Sequence, residues 1–321
     1  MDLDKIKVKV IIPCYKVEKQ IRKVVEELPD YVHSIILVND KSPDSTPEIL
    51  SQLAQENPKV TVVNHDVNQG VGGAMISGFL EALKTEGDFI VKLDGDGQMD
   101  ASYIKKMVSG LESDGCDFAK GNRFFDRKEL AQMPFIRRLG NLGLSFLIKM
   151  SSGYWKISDP TNGFFCIRQS TLQRIDTKRL SKRFFFECSL LIESFYAGAK
   201  IKDVAIPAIY ADEKSNLSIF KTLLTFPPKL SSAFIRRIWR QYFVYDFNIC
   251  SIYWLFGNLL FLFGAIFGIV NWVRYASAAH LTPTGTIMLS ILPLILGFQM
   301  LLSAIQYDIS AANPFEIRDN A

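Results

Sequence analysis

Phe89-Ile90-Val91-Lys92-Leu93-Asp94-Gly95-Asp96-Gly97-Gln98 is the stretch on which the reading turns. Its first half is an apolar run of strand length. Its second half sets two carboxylates and an amide at alternate positions where that strand ends. With glycines between them, Asp94, Asp96 and Gln98 can converge on one hard cation. Mg2+ or Mn2+ takes oxygen ligands of this kind and completes its shell with water and phosphate oxygens. A calcium-loop reading of DGDGQMDASYIK fails, because Gln98, Ala101 and Ile104 stand where that loop needs other residues. The plain alternative is a solvated acidic turn.

Upstream, residues 7–12 (KVKVII), 34–38 (SIILV) and 60–63 (VTVV) are similar short runs. Helix-length segments at 17–28, 44–55 and 70–84 lie between them, the second with Ser/Asp/Thr cap candidates and Pro47 in its first turn. The pattern βαβαβαβ predicts an α/β domain with a mostly parallel, Rossmann-like sheet covered on both faces. Ligands of such sheets sit beyond the C-terminal strand ends. Pro13 is read as ending the first strand, and Tyr15 offers a ring for a base. Asp40, at the second strand tip, can accept hydrogen bonds from a base N–H or a ribose hydroxyl. Ser42 or Asp44 can cap the following helix without it. The glycines at 70, 72 and 73 let a ligand approach the backbone at a helix N-terminus. A dinucleotide fingerprint is excluded, because Met75 stands where its last glycine belongs, and no GxxxxGK[ST] is present.

Downstream the chain changes character. Residues 252–273 and 285–307 carry no charged side chain, and each is long enough to cross a hydrocarbon core of roughly 30 Å. Pro293 interrupts the second. Residues 218–247 mix apolar clusters with Lys229, Arg236, Arg237 and Arg240, which suits a helix lying on an anionic membrane surface. The alternative is a helix packed on the soluble domain. Pro227-Pro228 is expected to split this segment in two. The basic cluster before the first span, against one Arg in the 274–284 loop, places the N-terminal domain in the cytosol. The five cysteines form no CxxC pair and the three histidines are scattered, so neither a zinc site nor a disulfide framework is expected. No secretory signal is expected at the N-terminus. The net charge of +4 does not point to nucleic acid.

In this order, IIPCYKVE, VNDKSPDST, NQGVGGAMISG and DGDGQ resemble the segments of family 2 GT-A glycosyltransferases over roughly residues 6–215. The resemblance implies that Pro13, Tyr15, Glu18, Asp40, Gly72, Gly73 and Asp94 bind a nucleotide-sugar donor. It implies that Asp94, Asp96 and Gln98 hold the divalent metal. The segments at 121–124, 137–141, 159–164 and 214–217 resemble the dolichyl-phosphate mannose synthase and polyprenyl-phosphate glycosyltransferase branch. They point to Arg123, Arg137, Arg138 and Ser215 for an acceptor phosphate, which guanidinium binds bidentately, and to Asp159 as a further catalytic residue. Asn39, Asn141 and Phe165 depart from the usual pattern. The implied reaction is inverting transfer of a hexose, from UDP-hexose first and GDP-mannose second, to a polyprenyl phosphate at the cytosolic membrane face. Such an acceptor is already anionic and needs no strong base. A processive polysaccharide synthase and a non-catalytic membrane scaffold are the competing readings. The expected divisions are a catalytic domain at 1–217, juxtamembrane helices at 218–250, two spans within 251–309 and a cytosolic tail at 310–321. Expected partners are donor, lipid acceptor and membrane; a homo-oligomer is allowed, and nucleic acid is not expected.

Overall fold

The computed structural model describes residues 5–125, 135–207, 219–278, 280–311 and 313. The four apolar runs form β1 (Val8–Cys14), β2 (Val32–Asn39), β3 (Val60–Asn64) and β4 (Phe89–Lys92). Helices α1 (Ile21–Glu26), α2 (Thr46–Glu56) and α3 (Val71–Ala82) connect them. Then come α4 (Tyr103–Ser113), β5 (Phe118–Asn122), α5 (Phe135–Ser152), β6 (Phe165–Arg168), α6 (Gln169–Arg174), α7 (Phe186–Tyr196) and β7 (Ile201–Ala205). The sheet order is β3-β2-β1-β4-β6-β5-β7. The strands run parallel except β6, which lies antiparallel to both β4 and β5.

Alternation along β1 explains the two layers. Val8, Val10 and Ile12 pack with α1, α2 and α4, while Ile11 packs on the other face with α3 and α7. In α4, Ile104, Met107, Val108 and Leu111 recur at helical spacing and are buried. Lys9 shares the face of Ile11. Its buried ammonium donates to the carbonyls of Ala82 (2.5 Å) and Thr85 (2.6 Å), at the C-terminal end of α3 where a cation is favoured. Burial, with Lys7 nearby, lowers its pKa.

Contrary to the sequence expectation, Pro13 does not end β1, which continues to Cys14. The Ile11 carbonyl is bonded by Leu93 N and the Cys14 carbonyl by Asp40 N. Alternation therefore turns the Pro13 nitrogen toward β4, whose pairing with β1 has already stopped at Lys92.

The chain divides into two compact units, residues 1–234 with 315–321, and residues 235–314. The first thus runs past residue 217. Helix α8 (Ile219–Trp239) passes through Pro227 and Pro228 unbroken, against the expectation of two helices. Phe226, Leu230 and Ala233 are buried in the core of the first unit, with Phe226 edge-on to Phe185 at 5.0 Å. Burial worth ~1.5–3 kcal/mol per large apolar side chain is comparable with the ~3 kcal/mol that an interior proline costs.

In the second unit a π-helical turn (Arg240–Tyr245) precedes α9 (Ile249–Ser277) and α10 (Thr284–Ser310). Both helices are long and apolar enough to cross a membrane. They pack antiparallel, with Gly257 beside Leu301, Gly264 beside Leu294 and Gly268 beside Ser290. Small residues allow such close approach in membrane helices. Buried Asp308 accepts two bonds from the Arg237 guanidinium, at 2.8 and 2.7 Å, and one from Tyr242 Oη at 2.6 Å.

Candidate active site

The strand order reverses between β1 and β4, and the loops beyond their C-terminal ends form a crevice. One cavity, of about 730 Å³, is walled by Pro13, Tyr15, Lys16, Asp40, Gly70, Asp94, Asp96 and Arg183, among others. A second, of about 420 Å³, is walled by Lys92, Asp94, Gln98, Arg123, Thr161, Asn162, Phe184 and Glu187, among others. Val71, Asp94 and Phe184 line both.

Asp40 is almost fully buried. Its carboxylate accepts from the amides of Gln69 and Gly70, both at 2.7 Å, and lies 2.8 Å from His65 Nδ1. His65 Nε2 in turn lies 2.8 Å from Ser77 Oγ. Asp40 thus holds the glycine turn at the start of α3 while also facing the larger cavity. The sequence reading found the carboxylate but not His65 behind it.

Gly72 and Gly73 do not line either cavity. A Cβ on Gly72 would stand 2.0 Å from the Ser181 carbonyl oxygen, and one on Gly73 would stand 2.4 Å from Gln69 Cβ. Gly72 thus admits the protein's own 181–186 segment and Gly73 the Gln69 side chain, whereas the sequence pattern points to a ligand at both. Glu18 is also outside the cavity walls; its Oε2 accepts from Ser45 N at 3.0 Å, at the start of α2.

The DGDGQ segment turns at Gly97 (φ 76°), and Asp96 Oδ1 accepts from Gln98 N at 3.0 Å. Asp94 Oδ1 lies 2.9 Å from the buried Lys92 ammonium, which is also 3.5 Å from Glu187 Oε1. Burial opposes the charge on Lys92, but the two carboxylates outweigh it and raise its pKa. Gly163 makes room for this group, since a Cβ there would stand 2.3 Å from Lys92 Nζ. Lys120, aligned with Lys92 across Phe165, donates to the Asn162 carbonyl at 2.5 Å. Burial lowers its pKa to about 8 against the opposing pull of Glu187 and Asp159.

Among the described residues no group of three or more His, Cys, Asp or Glu side chains could by itself hold a metal. Asp94, Asp96 and the Gln98 amide, close along the chain, offer oxygen donors of the kind that suits Mg2+ or Mn2+, which bind through one or two carboxylates and take phosphate oxygens from a substrate.

Asp159 is fully buried and carries Arg123 on its carboxylate, with Nε to Oδ2 at 2.8 Å and Nη2 to Oδ1 at 3.2 Å. Arg123 lines the smaller cavity, and Asp159 lies behind it. Arg137 and Arg138 fall in the first turn of α5, but their side chains, like the whole of Ser215, lie outside the described residues.

The sequence profile of Glycosyl transferase family 2 matches residues 9–176, which is 168 of the 321 residues. The chain belongs to this family. It is a glycosyltransferase. UDP-N-acetylglucosamine–dolichyl-phosphate N-acetylglucosaminyltransferase of Methanococcus voltae is 32% identical over 215 residues, covering 63% of this chain and 85% of its own length. Undecaprenyl-phosphate mannosyltransferase of Micrococcus luteus is 27% identical over 199 residues, covering 61% and 81%. Among solved structures, glucosyl-3-phosphoglycerate synthase of Mycobacterium tuberculosis, in complex with Mn2+, UDP-glucose and phosphoglyceric acid, aligns with a TM-score of 0.53 at 17% identity. The alignment covers 73% of this chain and 80% of that one, and it supports the fold.

Within this glycosyltransferase, the residues missed from sequence are Lys92, Lys120, His65 and Arg183. For the two lysines a signal existed. Each interrupts an otherwise apolar or small strand, FIVK and FAKGN, where a charge is kept only if something pairs it.

Proposed function

We propose that this glycosyltransferase moves a hexose, from UDP-hexose first and GDP-mannose second, onto a polyprenyl phosphate at the cytosolic membrane face. The observation that carries the reading is the pair of cavities meeting at Asp94. One is lined by the strand-tip segments suited to a nucleotide. The other is lined by Arg123, in a chain with two helices able to span a bilayer. The relatives named for dolichyl- and undecaprenyl-phosphate acceptors support the same class.

In the proposed reaction an acceptor phosphate oxygen attacks the sugar C1 and forms a new C–O bond. The bond from C1 to the donor diphosphate breaks, and its electron pair leaves on the diphosphate oxygen. In-line displacement inverts C1. No proton has to be removed, which agrees with His65 being committed to Asp40 and Ser77. A Mg2+ or Mn2+ ion held by Asp94, Asp96 and Gln98 would supply Lewis-acid neutralisation of the leaving group. Lys92 keeps Asp94 oriented. Arg123, set by Asp159, faces the acceptor. Arg137, Arg138 and Ser215 are proposed as its partners there.

The test is a donor screen with undecaprenyl and dolichyl phosphate in detergent, reading lipid-linked product. Sugar transfer only to lipid-free acceptors would sink the proposal. Arg123→Ala should weaken acceptor binding about 10- to 150-fold, the worth of hydrogen bonds to a charged group. It also leaves Asp159 buried without its cation, so R123A/D159N is the cleaner variant. Its melting temperature should recover while acceptor affinity stays low. Donor affinity, measured by calorimetry, should change little.

Orientation follows from the basic residues Lys229, Arg236, Arg237 and Arg240 before α9. In sealed vesicles lacking Cys116, cysteines introduced at Asp30 and at Leu281, between α9 and α10, should label from opposite sides. Labelling of both from one side would refute the arrangement.

A further inference from the structure

We infer that Arg183 binds the diphosphate of the nucleotide donor and of the departing nucleoside diphosphate. The inference rests on the donor-cavity reading above and adds a residue that none of the sequence segments marked. Arg183 lies on the loop before α7, in the segment that Gly70 and Gly72 admit against the start of α3. A Cβ on Gly70 would stand 2.8 Å from the Lys182 carbonyl oxygen and 3.4 Å from Arg183 Cγ, so the arginine stem lies along the glycine turn. Gly73 N donates to that same Lys182 carbonyl at 2.9 Å, which fixes the segment to α3.

The charges in the donor wall decide what this arginine meets. Asp40, Asp94 and Asp96 line the donor cavity, and a diphosphate entering beside them brings further negative charge. Among the described residues, Lys16 and Arg183 are the cationic side chains in the same wall. The Lys16 ammonium sits over the Tyr15 ring, 5.5 Å from its centre, at the tip of β1. Among the described residues Arg183 makes no side-chain hydrogen bond or ion pair, and it is solvent-accessible. It stands next to Phe184, one of the three residues common to both cavities. Arginine, with its planar fork of donors, is the side chain suited to bidentate phosphate contact. At this place it offsets charge on the diphosphate as the C1–O bond breaks and the electron pair moves onto the leaving oxygen.

The experiment compares wild type, Arg183→Ala and Arg183→Lys for binding of UDP and GDP by calorimetry, and of uridine and guanosine by ligand-observed NMR. Arg183→Ala should weaken the preferred nucleoside diphosphate about 10- to 150-fold. Nucleoside binding and the melting temperature should stay at wild-type values. Lysine should restore part of the affinity. With the divalent ion chelated, wild type and alanine variant should still differ, since the guanidinium acts on phosphate directly. Unchanged diphosphate affinity in Arg183→Ala, or a proportional loss of nucleoside affinity, would overturn the assignment while leaving the proposed transfer reaction standing. If wild type binds neither diphosphate, the donor-cavity reading itself falls.

Discussion

Asp96→Ala should lower sugar transfer by about 10²–10³-fold or more, the scale of losing one group that stabilises developing charge. The substitution sits in a partly exposed turn, not in the core. It removes the cap from Gln98 N, worth about 0.5–1.5 kcal/mol. A loss of that size does not unfold a domain of this size, so an inactive variant with a melting transition near wild type places the loss in the reaction. Asp96→Asn makes the separation sharper, because its amide oxygen can keep the cap while the negative charge goes. Both variants should be equally inactive in a lipid-product assay, and only the alanine variant should melt slightly earlier. Wild-type transfer that persists in excess chelator, together with an active Asp96→Ala, would remove the metal from the mechanism. Asp94 is the less clean probe. Its removal also leaves the buried Lys92 ammonium, among the described residues, with Glu187 at 3.5 Å as its carboxylate partner.

The largest expected effect on stability lies in the second unit. Asp308→Ala should destabilise it by about 3–5 kcal/mol, the cost of breaking a buried ion pair from one side. Arg237 is 1% exposed and Asp308 4%, so neither charge can turn to water when its partner is lost. Gln241 still accepts from Arg237 at 2.8 Å, but an amide does not neutralise a guanidinium. Thermal unfolding in detergent, followed by protease cleavage within α10, measures this. The double replacement R237M/D308L should recover most of the loss, as apolar substitutes for buried pairs commonly do. An Asp308→Ala protein with wild-type melting and cleavage would show that the pair contributes nothing.

The part of the fold legible in sequence is the part built from local repetition. Apolar, largely β-branched runs of four to six residues placed β1 to β4, and capping and glycine signals placed α2 and α3 to within a few residues. The two apolar helices stood out by length alone. What could not be read is pairing. β6 is four residues long, and its antiparallel insertion between β4 and β5 rests on contacts 40 to 80 residues distant, such as Phe89 with Arg168 and Ala119 with Cys166. Of the candidate donor residues, Pro13, Tyr15, Asp40 and Asp94 reach the larger cavity because they lie at or just beyond the C-terminal ends of β1, β2 and β4. Gly72, Gly73 and Glu18 lie off the walls of both cavities: Gly72 packs against the 181–186 segment, Gly73 against Gln69, and Glu18 accepts from Ser45 N. Arg183 depends on which loop folds over the sheet, and no periodicity records that.

Val71, Asp94 and Phe184 belong to the walls of both chambers. Occupants of the two chambers would therefore share a boundary, with neither insulated from the other. In steady-state terms this suits a sequential scheme. Double-reciprocal plots taken at several lipid concentrations would intersect, whereas a double displacement through a glycosyl-enzyme would give the parallel lines of ping-pong kinetics. The same shared boundary favours tethered inhibitors. A nucleotide joined to a lipid phosphate by a short linker crosses one wall of three side chains, and the second moiety then binds at the millimolar effective concentration of an intramolecular event.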